Sequence, residues 1–122
     1  MKRLYALMGA LQCENTQEDI CSQVSIMYDE LLKSNKLNEN DIVSVIFSVT
    51  SDLDAVNPCS ALRKTGRAES LSLLTVMEPY FKNSVERIIR VIIHCYLDEG
   101  YSAHHVYING AQALRPDRAR ND

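Results

Sequence analysis

The sequence predicts an α+β domain, a mixed β-sheet with helices on one face. Three observations carry this reading. The run Ile88–Leu97 is continuous, rich in β-branched residues and too short to span a membrane, so it reads as a central strand. Ile20, Val24, Met27 and Leu31 recur at helical spacing and mark one long amphipathic helix. Shorter apolar runs bounded by turn residues supply the other strands.

In order along the chain, Lys2 to Met8 reads as a first strand, stopped by Gly9, with Leu4, Ala6 and Met8 sharing a face. A polar loop over residues 11–15 precedes Thr16, which with Asp19 approximates a capping box and starts the helix that runs to about Ser34. Ile42 to Thr50 is a second strand. Pro58 suits the first turn of a short helix through Arg63 that ends near Gly66. Leu71 to Met77 forms a third strand, ended by Glu78-Pro79, and residues 83–87 are expected to form a short helix feeding the central strand. His105 to Asn109 is a final short strand, and the single domain (residues 1–117) gives way to a mobile tail over 118–122.

On the central strand, the odd positions Ile89, Val91, Ile93, Cys95 and Leu97 are all apolar and define a core face. The even positions are Ile88, Arg90, Ile92, His94 and Tyr96. A guanidinium at the entrance of a central strand is costly unless an anion meets it. Two readings are open at this point: a structural ion pair with Glu78 or Glu86, or an anion-binding residue on rigid scaffold. Helices on one side leave the other face of an apolar sheet to meet a second subunit.

At 122 residues the chain holds one domain. A net charge of −3 gives no footprint for nucleic acid or an acidic membrane. The cysteines Cys13, Cys21, Cys59 and Cys95 lack metal-ligand spacing, and His104 and His105, adjacent on a strand, point to opposite faces. Reduced thiols in a cytoplasmic protein are the default. Lys2-Arg3 followed by an apolar run superficially resembles a signal peptide. That run is short and no convincing cleavage site precedes Cys13, so the strand is the reading adopted.

Several segments together resemble the AroH class of chorismate mutases. They are Gly9-Ala10 followed by Glu14-Asn15-Thr16; Ser48 to Ala55 with Pro58 and Arg63; Met77-Glu78; Ile89-Arg90-Val91; His105-Val106-Tyr107; and Leu114-Arg115-Pro116-Asp117. They lie in the family's order, with near-identical spacing, over almost the whole chain. The resemblance implies a homotrimer with a barrel-like core and active sites between subunits. It also implies the rearrangement of chorismate to prephenate, which needs no nucleophile, general base, metal or cofactor.

Such a site must hold a dianion in a compact conformer and stabilise charge developing on an ether oxygen. Arginine suits both tasks, being permanently charged and forked. By resemblance, Arg90 stands at the ether oxygen and a carboxylate, and Glu78 accepts from the ring hydroxyl. Tyr107 contacts a carboxylate, while Arg63 of a neighbouring subunit and Arg115, beside Leu114, help bind and cover the ligand. The chain also departs from the family pattern. Met8 replaces an arginine that contacts a substrate carboxylate, Asn57 an aromatic, Ser60 a lysine, and Thr75 a cysteine. Tyr80-Phe81-Lys82-Asn83 replaces an Asp-Val-Pro-Gly-like segment. Lys82 and Lys64 are candidate substitute cations. Met8 leaves two alternatives beside the mutase: a pericyclic enzyme for a modified substrate, or a non-catalytic relative that binds a carboxylate ligand.

Overall fold

A computed structural model describes residues 1–119. Five strands, β1 (Lys2–Gln12), β2 (Ile42–Val49), β3 (Leu73–Met77), β4 (Ile88–Asp98) and β5 (Val106–Ile108), form one sheet in the order β3-β2-β4-β1-β5. β4 is central and antiparallel to both β1 and β2, whereas β3 and β5 join the edges in parallel. The helices α1 (Gln17–Ser34) and α2 (Pro58–Lys64) precede β2 and β3.

The caps match the local chemistry. Thr16 accepts from the Asp19 N–H at 3.0 Å, and the Asp19 carboxylate reaches back to the Glu14 N–H at 2.7 Å. Asn57 caps α2 by accepting from the Cys59 N–H, with Pro58 in the first turn.

Two expectations are corrected. Gly9 does not stop the first strand, which continues to Gln12, paired with β4 along its full length and with β5 from Gly9 to Leu11. The glycine is there for close approach. A Cβ at Gly9 would lie 3.1 Å from Leu31, Met27 and Val91 side chains, where α1 crosses the sheet. Nor do residues 83–87 form a helix. They belong to an irregular loop in which Asn83 and Arg87 take positive φ, at 69° and 54°. At the C-terminus, Pro116–Ala119 forms a helical turn, α3, so the expected tail starts inside it. Residues 120–122 of that tail lie outside the described residues.

The main core lies between α1, α2 and one face of the sheet. Leu7, Leu11, Val45, Phe47, Ile89, Val91 and Ile93 meet Ile20, Val24, Met27 and Leu31 there, all essentially without solvent exposure. The odd residues of β4 are thus buried, as the alternation requires. The opposite face carries Leu4, Met8, Ile46, Leu74, Val76, Ile92 and Tyr96; Leu4, Leu74, Val76 and Tyr96 are among its exposed members. Among the described residues, one corner of that face is closed, by a small second cluster of Ala10, Ile88, Tyr107 and Ala111 with Val85 and Leu114.

Candidate active site

That closed corner borders a cleft of about 400 Å³. Ile88 and Arg90 of β4 line it together with Thr50–Asp52, Glu78–Phe81, Asn83–Glu86 and Ala113-Leu114. The entrance of β4 is held firmly. Thr50 bonds Ile88 through both backbone and hydroxyl, and the Asp52 carboxylate accepts from the Arg87 N–H at 3.0 Å. A turn closes residues 81–84, where Ser84 Oγ accepts from the Phe81 N–H and the Ser84 N–H donates to the Phe81 carbonyl, each at 2.9 Å.

Arg90 and Glu78 meet at the cleft. The Arg90 Nε lies 3.2 Å from Glu78 Oε1, with the side chains 37% and 22% exposed. This is an ion pair by distance and not a formed hydrogen bond: the buried Nε–H has no hydrogen-bond partner. The ion pair expected for Arg90 is therefore made with Glu78, and both residues line the cleft. Ser48, opposite Arg90 in the β2–β4 register, donates its hydroxyl to the same Glu78 oxygen at 2.6 Å. Ser48 was missed as a site residue. The signal was its even position on β2, which pairing with β4 places beside Arg90.

The remaining candidates divide into groups. Leu114 lines the cleft. Tyr107 is buried beside Ala10, the cross-strand neighbour of Arg90. Arg115 is held by Asp117 through two contacts, at 2.8 and 3.1 Å, which push its pKa further up. Met8 lies on the same sheet face as Arg90 and shares with it a shallow groove that includes Ile46, Ser48 and Ile92. Its backbone N–H donates to His105 Nδ1 at 3.0 Å, ahead of the β5 pairing.

Asn57, Thr75 and Arg63 do not line this cleft. Thr75 donates to Asn57 Oδ1 at 2.7 Å and contacts Cys59 Sγ at 3.0 Å, so this group sits where α2 meets β3, with Arg63 exposed in the last turn of α2. Thr75 has the opposite strand parity to Glu78, which explains the separation. Lys82 and Lys64 are exposed and neither lines the cleft.

Comparison with known proteins decides the family. The sequence profile of type I chorismate mutases matches residues 4–118. The chain belongs to the type I chorismate mutases. It is 26% identical over 113 residues to chorismate mutase AroH of Bacillus subtilis, covering 91% of this chain and 89% of the relative. Identity to chorismate mutase AroH of Thermus thermophilus is 32% over 114 residues, covering 91% and 93%. A solved chorismate mutase from Clostridium thermocellum superposes with a TM-score of 0.83 at 36% identity, covering 90% of this chain and 99% of that one. The α+β fold of the mutase domain agrees with that neighbour. No helix among the described residues is long and apolar enough to cross a membrane.

Proposed function

We propose that this chorismate mutase rearranges chorismate to prephenate in the cleft at Arg90 and Glu78, without a cofactor. The observation that carries the proposal is the Arg90 guanidinium, fixed on the central strand with its Nε–H buried and unbonded at a cavity wall. A permanently charged, forked donor in that position holds a substrate carboxylate in ground and transition states alike, and at the ether oxygen it favours the transition state as negative charge builds there. In this reading Glu78 accepts from the ring hydroxyl, while Ile88, Leu114, Pro79 and Phe81, which line the cleft, supply apolar walls that favour a compact conformer. Tyr107, clustered with Ile88 and Leu114, and Arg115, next in sequence to Leu114, meet carboxylate groups in the same reading. Altered-substrate or non-catalytic alternatives are not favoured, since the relatives named above are all chorismate mutases.

The working unit in this proposal is a homotrimer. Its sheets pack through the open face, and each subunit's α2 edge, with Arg63, Asn57 and Thr75, meets a neighbour's cleft. Exposed Leu4, Leu74, Val76 and Tyr96 support this, together with the separation of the candidate residues into two groups. The cytoplasmic assignment rests on the four cysteines, all free. The activity is tested by following the ultraviolet absorbance of chorismate with purified protein. Loss of absorbance with prephenate as product is expected, and no loss above the spontaneous rate would refute the activity.

A further inference from the structure

We propose that Ser48 is a positioning residue that keeps Glu78 from closing onto Arg90. This rests on the cleft being the substrate site. A carboxylate and a guanidinium this close normally form a forked pair, with two parallel N–H···O bonds. Here the fork is not made. Ser48 donates to Oε1 at 2.6 Å, Arg90 Nε lies 3.2 Å from that same oxygen, and its N–H stays unbonded. No side chain among the described residues donates to the other Glu78 oxygen.

The hydroxyl therefore holds the carboxylate in an orientation with one oxygen occupied and the other available to a ligand hydroxyl. The guanidinium keeps its donors for an incoming anion. Backbone placement reinforces the arrangement: Glu78 N–H donates to the Val49 carbonyl at 2.8 Å, next to Ser48. In the absence of Ser48, rotation about the Glu78 side chain allows the fork to form, and an anionic substrate then competes with Glu78 for Arg90. Such competition acts on ligand binding more than on the bound transition state, so its signature is a raised KM.

The test compares wild type, Ser48→Ala and Ser48→Thr as full-length proteins. Ser48→Ala is expected to raise the KM for chorismate by about tenfold, the scale of one charge-assisted hydrogen bond, while kcat falls by much less. Ser48→Thr keeps the hydroxyl and is expected to restore KM. In a Glu78→Gln background, which removes the competing charge, Ser48→Ala should leave KM nearly unchanged.

The side-chain Nε–H resonance of Arg90 gives a readout independent of turnover. It is expected to move downfield in Ser48→Ala as the fork forms, and to stay at its wild-type position in Ser48→Thr. An unmoved resonance, or an unchanged KM in Ser48→Ala, would overturn the proposal. A downfield shift in Ser48→Ala, in a protein whose wild type bound no chorismate, would refute the mutase reading and leave the role of Ser48 at Glu78 intact.

Discussion

Substituting Met8 by arginine tests how a dianion is held with so few cations in the cleft of one subunit. Met8 pairs with Ile92 on β4, and Ala10 pairs with Arg90, so Met8 is a diagonal cross-strand neighbour of Arg90 on the same face. Diagonal neighbours lie about 7–8 Å apart, within reach of long side chains. In the ligand-free protein two guanidiniums about 7 Å apart repel by about 2 kcal/mol at an effective dielectric constant of about 20. Glu78, 3.2 Å from Arg90, offsets part of that cost. With chorismate bound, the new arginine meets a carboxylate, and a hydrogen bond to a charged group contributes about 1.5–3 kcal/mol.

The contact exists equally in ground and transition states, so it is uniform binding and should appear in KM rather than kcat. Met8→Arg is expected to lower KM for chorismate by about tenfold or more at nearly constant kcat, on the conversion of about 1.4 kcal/mol per factor of ten. The ligand-free protein should melt at a slightly lower temperature. Steady-state kinetics and thermal unfolding with and without ligand check both halves. An unchanged or raised KM in a folded variant would refute the placement of residue 8 beside the ligand.

Sedimentation at micromolar concentration should show a trimer, and a stable monomer would remove the intersubunit site. Asn35, only 2% exposed, accepts from Tyr101 Oη and the His104 N–H and donates to the Leu31 and His104 carbonyls. Asn35→Ala strands several buried polar groups and should cost about 3 kcal/mol in denaturant unfolding; a loss under about 1 kcal/mol would contradict the hub. Burial raises the Cys13 and Cys95 thiols to about 11, with neighbouring carboxylates adding to the shift. A raised acid pKa favours the protonated native state, so this stability is present below the unfolded thiol pKa of about 8.5 and is lost as pH rises to about 11. A falling unfolding midpoint over that range, reduced by Cys95→Ser, is the expected result.

Much of this was legible in the residues because side-chain alternation on a central strand is a strong constraint. The odd face of β4 is buried as read, and Arg90 lies on the other face with Met8. Thr16 and Asp19 announced the start of α1 through chemistry confined to four residues. Errors arose where long-range contacts decide. Gly9 has the local look of a strand terminator, but its role is set by Leu31, a residue on a helix that crosses it. The loop before β4 owes its shape to Asp52 and Thr50, distant in sequence, and not to helix propensity within 83–87. Parallel pairing of the short edge strands is not visible in either partner alone. At the site, resemblance supplied Glu78, but its link to Ser48 needed the β2–β4 register.

The central claim is that Arg90 provides the transition-state charge stabilisation in a chorismate mutase, and the most direct measurement is chorismate turnover by wild type and Arg90→Ala. Arg90 is half-exposed, so truncation should leave a folded protein, verified by circular dichroism and melting. Removing one preorganised donor costs about 3–4 kcal/mol, and kcat is expected to fall by at least about 10²–10³-fold. A folded Arg90→Ala variant with kcat within about tenfold of wild type would place the source of catalysis elsewhere and contradict the claim.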